Sequence, residues 1–210
     1  KGRFLLLGSN HLLLHRQVKE SLAGRVAIYQ LDPLSFHELC GLDTPNLLAR
    51  LVRADSVDAV EACLADVYIP VQESTDLLDR FRRFNIYGGY PEFLTRSGDR
   101  DRRNWLNNYR QTYLETDLRE LVNLNSTEVF ERFETLFAVR VGSLLNFSEL
   151  ARDCGVTADT VRRFVNYYRQ LFIAWQLPPF YRNLGKRVMK SPKWYFSDTG
   201  LARCLLNNYR

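Results

Sequence analysis

One glycine set between two helix caps constrains this 210-residue chain more than any other feature. Within residues 145–168, Ser148 stands where a first helix can be capped. Gly155 stands where the backbone must turn left-handed to leave it, and Thr157 where a second helix can be capped. Leu150, Ala151, Val156, Val161, Phe164, Val165 and Tyr168 recur at helical spacing and define a shared inner face, while Arg162, Arg163 and Asn166 fall outward. This predicts a helix-turn-helix. The strand expected over 172–177, the pair Pro178-Pro179, the basic stretch 182–193 and the strand expected over 194–197 then read as its wing.

The net charge of +5 is unevenly placed: residues 140–210 hold 12 Lys+Arg against 4 Asp+Glu, whereas residues 1–139 hold 17 against 20. The winged-helix half is therefore the basic half and suits a polyanion. Arg162, Arg163 and Asn166 on the second helix, with Arg182, Lys186, Arg187, Lys190 and Lys193 along the wing, are the candidate DNA-binding residues: a helix in a major groove, wing cations on phosphates. Asp159, at the start of that helix, opposes this because it would repel phosphate, so a protein partner or self-association stays open beside DNA. Tyr167, Trp175 and Tyr181 could stack on unpaired bases, although packing in the core would occupy the same rings.

The opening of the chain has a different grammar. The apolar run 3–7 ends in Gly8-Ser9-Asn10 and reads as a buried parallel strand; 11–22 has helical spacing; Ala23-Gly24-Arg25 breaks it; 26–31 alternates as a second strand. Two parallel strands cannot cover a sheet on both faces, so this β-α-β unit is expected to be the end of a larger sheet whose other strands precede Lys1. Helices follow over 36–42, 46–53, 57–67 and 76–84, then a sharp break at Tyr87-Gly88-Gly89-Tyr90-Pro91, and long helices over 100–122 and 127–141.

Other chemistries are disfavoured. Mean hydropathy is −0.28 and no apolar run nears the ~20 residues of a membrane span, so no membrane is expected. The four cysteines, at 40, 63, 154 and 204, form no CxxC pair and read as reduced thiols of a cytoplasmic protein. His11 and His15 lack a third ligand, so no metal site is expected. Glu115 and Asp117, two apart on a helix, point in different directions; Asp117 is expected to pair with Arg110, Arg119 or Arg96.

Several stretches, taken in order, resemble a known family: Arg3-Phe4-Leu5-Leu6-Leu7-Gly8-Ser9, Ser21-Leu22-Ala23-Gly24-Arg25, Leu34-Ser35-Phe36-His37-Glu38, Gly88-Gly89-Tyr90-Pro91-Glu92, residues 113–119, and residues 190–201. They are similar to bacterial and archaeal AAA-type P-loop ATPases close to the STAND group, which carry a winged helix and a C-terminal domain of unknown function (DUF4143 type). The resemblance implies a mostly helical α+β chain. Residues 1–34 would end a P-loop nucleotide-binding sheet and 35–99 form a helical lid region. Long helices would occupy 100–142, a winged helix-turn-helix 143–198, and the start of a truncated C-terminal domain 199–210. It also implies that Ser9 and Asn10 sit near the γ-phosphate, that Pro91 lies near the adenine, and that Arg25 is catalytic, supplying a cation to charge developing in phosphoryl transfer.

No Gly-x-x-x-x-Gly-Lys-Ser/Thr occurs: Gly185-Lys186 has Phe180 where the first glycine belongs and Arg187 where the hydroxyl belongs. No apolar strand ends in paired acids that could hold magnesium. The resemblance implies ATP and Mg in the intact protein, which would be an ATPase, while the missing motifs mean that no hydrolysis is expected from these residues alone. The alternative reading is a stand-alone winged-helix DNA-binding regulator without ATPase activity.

Overall fold

The computed structural model describes residues 25, 27, 29–41, 47–65, 71–115, 127–182 and 190–207. In chain order they form α1 (Phe36–Cys40), α2 (Leu47–Arg53), α3 (Val57–Ala65), α4 (Val71–Tyr87), α5 (Glu92–Thr95), α6 (Asp99–Tyr109) and a π-helical stretch (Arg110–Glu115). There follow α7 (Thr127–Val139), α8 (Phe147–Cys154), α9 (Ala158–Gln170), β1 (Ala174–Leu177), β2 (Lys193–Phe196) and α10 (Thr199–Leu205). The result is a mostly helical α+β chain with a small antiparallel sheet of β1 and β2.

Aromatic spacing organises the main core. Phe130, Phe133 and Phe137 fall on one face of α7 at helical intervals and meet Phe164 and Tyr168 of α9, with Phe133 and Phe164 ring centroids 5.0 Å apart. Leu150, Ala151 and Cys154 of α8, Trp194 of β2, and Leu201 and Leu205 of α10 close the same core. Truncating one of these phenylalanines to alanine would cost about 3–5 kcal/mol by lost transfer energy and cavity formation. A second, smaller cluster joins Tyr87 of α4, Phe93 of α5, Leu106 of α6 and Cys204 of α10, and the Tyr90 ring packs against both clusters. Through α10 the two cores are continuous.

Several boundaries differ from the sequence expectation. Of the strand expected over 26–31, Ala27, Tyr29, Gln30 and Leu31 are described and none carries strand pairing; Tyr29 and Leu31 are exposed. Alternation marks a strand only where a neighbour takes its backbone groups, and among the described residues none does. The remainder of the expected β-α-β unit, with Ser9, Asn10, His11 and His15, lies outside the described residues. The helix expected over 76–84 runs from 71 to 87, because Ile86 and Tyr87 keep packing inward beyond the predicted end. The long helix expected from 100 is α-helical only to Tyr109 and then widens into π geometry. The Thr112 hydroxyl donates to the Asn108 carbonyl at 2.7 Å, competing with the α ladder there. Residues 116–126 lie outside the described residues.

Candidate functional site

The helix pair α8–α9 is built as its punctuation requires, with one change. Gly155 ends α8 at φ 73°, a left-handed conformation a side chain would strain, and its N–H reaches the Arg152 carbonyl at 3.2 Å. The Thr157 hydroxyl caps α9 by accepting from the Thr160 N–H at 3.2 Å. Ser148 does not cap α8. Asn146 does: its Oδ1 accepts from Ser148 N–H at 3.1 Å and from Glu149 N–H at 3.2 Å. The chain is still extended at Asn146 and already helical at Phe147, so Ser148 falls one residue inside the helix. Arg140, at the end of α7, ties the pair to the core by pairing with Asp153 and, at 3.6 Å, with Glu149.

On the outer side of α9, Arg162, Arg163 and Asn166 are exposed. Arg162 is also engaged: it pairs with Asp159 at 2.7 Å and lies over the Phe147 ring at 5.4 Å. The Arg163 guanidinium donates to the Thr160 hydroxyl at 3.4 Å. Lys186 and Arg187 lie outside the described residues, whereas Lys193, which opens β2, and Arg182 and Lys190, which fall between the two strands in sequence, are exposed. Of the candidate stacking rings, Tyr167 is buried in the main core, and Trp175 and Tyr181 remain exposed.

Away from this face, stretches that are far apart in sequence converge on Asp198. Its buried carboxylate accepts from the Gly89 N–H at 2.7 Å and the Leu201 N–H at 2.8 Å. Burial pushes Asp198 up to about 6, against the backbone N–H groups of Gly89, Leu201 and Gly200 that hold it down. A Cβ on Gly88 would strike this carboxylate, one on Gly89 the Leu34 carbonyl, and one on Gly200 the Tyr87 carbonyl. Leu34 in turn donates its N–H to the Gly89 carbonyl at 2.8 Å. Phe36 of α1 packs edge-on against Phe81 at 5.1 Å, and the Thr199 hydroxyl donates to the Phe84 carbonyl at 3.1 Å. Residues 34–38, 88–92 and 197–201 thus form one junction. Pro91 is at its edge, exposed, as the residue preceding α5. Arg25 is exposed in a turn.

Sequence reasoning missed a second buried polar group. Glu134 is 1% exposed within the phenylalanine face of α7. The Arg110 guanidinium donates to its carboxylate through Nε at 2.8 Å and through a second nitrogen, and the Tyr168 hydroxyl donates to the other oxygen at 2.6 Å. Burial, the largest single effect, lowers the Arg110 value, but the Glu134 charge and hydrogen bonds, joined by Tyr168 and Cys204, together raise it; burial first, then Glu134, pushes the Tyr168 hydroxyl well above its ordinary range. The signal was available, since Glu134 falls four residues after Phe130 and three before Phe137, on the apolar face. Arg110 therefore serves Glu134, and Arg96 pairs with Glu92 at 3.0 Å and Asp101 at 3.1 Å. Asp117, for which those arginines were the expected partners, lies outside the described residues. Among the described residues no group of His, Cys, Asp or Glu could hold a metal ion, and no helix is long and apolar enough to cross a membrane.

Residues 1–40 match a family described as an AAA domain. Two curated relatives, the uncharacterized protein Mb2031c of Mycobacterium bovis and the uncharacterized protein Rv2008c of Mycobacterium tuberculosis, are each 31% identical over 205 residues, covering 98% of this chain and 38% of the relative. The chain thus spans well under half the length of the curated relatives it matches. No solved structure matches it. Residues 78–209, which take in α5 to α10 and the ribbon, match the family described as Domain of unknown function (DUF8612), and the chain belongs to that family.

Proposed function

We propose that this chain is the C-terminal portion of an ATP-binding AAA-type ATPase, close to the STAND group, in which α8, α9 and the β1–β2 ribbon act as a winged helix that engages DNA or a protein partner. One observation carries the reading. The end of the AAA-matched segment is joined to the unknown-function region by the Leu34–Gly89 backbone bond and the Phe36 ring contacts. Movement in a nucleotide domain would therefore reach Gly88-Gly89 and Asp198, and through α10 the core beneath α9.

The described residues do not make a nucleotide site by themselves: no phosphate loop occurs in the sequence, no metal-holding group exists among the described residues, and Arg25 is exposed. ATP and Mg are accordingly assigned to the intact protein, with Ser9, Asn10, Arg25 and Pro91 as the residues this portion would contribute. The stand-alone regulator is the weaker reading, because the AAA match over residues 1–40 has no place in it.

The test uses the full-length protein. ATP hydrolysis should be measurable, should fall in Arg25→Ala, and should be absent from the 210 residues alone; metal-dependent turnover by those residues would overturn the reading. Binding to duplex DNA should weaken steeply as salt rises and should drop further in the Arg162→Ala, Arg163→Ala double variant. A flat salt response would leave the protein partner in place of DNA.

A further inference from the structure

Residues 160–197 carry eight Lys+Arg and no Asp or Glu. Within that run lie the two strands of the ribbon, whose two faces are set by its register. Ala174 opposes Phe196 and Gln176 opposes Trp194; Trp175 opposes Tyr195 and Leu177 opposes Lys193. Directly opposed residues share a face. Ala174 and Trp194 are buried against the core, so Trp175, Tyr195, Leu177 and Lys193 stand on the outer face.

That face has an aromatic centre. The Trp175 and Tyr195 rings stack at 5.0 Å and 23°, yet Trp175 remains 46% exposed. The lane beside Tyr195 is kept low by Gly142, whose N–H donates to the Trp194 carbonyl at 2.7 Å and whose φ of 75° disfavours a side chain. Leu144 bridges Lys193 in the same lane. Arg182, Lys190 and Lys193 are exposed, and among the described residues none of them enters an ion pair. This contrasts with α9, where exposed Asp159 takes up the Arg162 charge.

A half-exposed indole thus lies on the face that carries Lys193, with Lys190 and Arg182 exposed nearby in sequence. With none of these cations in an ion pair among the described residues, and no acid in the surrounding sequence, it complements an unpaired base flanked by phosphates. A duplex conceals its base faces, and an acidic protein would use the cations but leave the indole open. We propose that the outer face of the β1–β2 ribbon binds single-stranded nucleic acid: a base stacks on Trp175 while Lys193, Lys190 and Arg182 hold adjoining phosphates. This rests on the reading of the helix pair and ribbon as the partner-engaging part, and it names the partner's chemistry.

The test is fluorescence anisotropy of the intact protein with a labelled oligothymidine and, separately, with a duplex of equal length, across a salt series. The single strand should bind more tightly, and Trp175→Ala should weaken it roughly tenfold, as expected for loss of one stacked base. Trp175→Phe should restore most of the affinity, and Lys190→Ala with Lys193→Ala should flatten the salt slope. Thermal melts separate lost binding from lost fold. Should Trp175→Ala unfold, Lys190→Glu with Lys193→Glu must abolish single-strand binding. Wild-type affinity in Trp175→Ala, or a preference for duplex, overturns the proposal. Duplex binding that depends on Arg162 and Arg163 but not on Trp175 would sink this inference and leave the proposed function standing. Binding of neither form would remove nucleic acid from both.

Discussion

At Asp198 the sign of the electrostatics can be worked out. Its folded value of about 6 lies above the ordinary 3.8, with burial as the main cause. Between those values the folded chain holds a proton that the unfolded chain releases. Stability from this group is therefore fully present below about pH 4 and is lost as pH rises through 6. The loss should be on the order of 2–3 kcal/mol, at 1.36 kcal/mol per unit. Urea unfolding across this range should show that slope in the wild type and not in Asp198→Asn; equal slopes would refute the assignment. Glu134 makes the opposite case, of a charge whose burial is answered by partners. Glu134→Ala leaves the Arg110 guanidinium and the Tyr168 hydroxyl without their acceptor and should destabilise by about 3–5 kcal/mol in denaturant titration.

Elements were legible where local chemistry decides them. Gly155 and Thr157 do what their residue types require, and the inner face from Leu150 to Tyr168 is buried as its spacing predicts, Val156 being half-buried. The cap of α8 was misplaced because Asn146 and Ser148 are both good caps and only the backbone angles choose between them. That choice is measurable: Asn146→Ala should cost about 1 kcal/mol of stability, whereas Ser148→Ala should cost little. The π-helical widening after Tyr109 was not read from the sequence: the Thr112 hydroxyl bond that accompanies it is local, but Arg110, which opens the stretch, also reaches Glu134 on another helix. The convergence on Asp198 was hidden likewise. Gly88, Gly89 and Gly200 read as turn residues, and their need to lack a side chain exists only once Leu34, Tyr87 and Asp198 arrive.

For the whole molecule, the junction decides where the chain can be divided. Gly200→Ala forces a methyl into the Tyr87 carbonyl, which no flexible side chain can relieve, and should destabilise by more than the ~1–3 kcal/mol usual for overpacking. A truncation beginning after Cys40 would remove the Leu34 N–H from the Gly89 carbonyl and the Phe36 ring from Phe81 and Phe84. Such a piece should melt earlier and sediment as aggregate, whereas one beginning before Pro33 should remain monodisperse. The boundary between the AAA-matched segment and the rest is therefore expected to act as a weld and not as a hinge. Anyone dissecting this protein should expect the unknown-function region to need the last few residues of its upstream neighbour in order to stay folded.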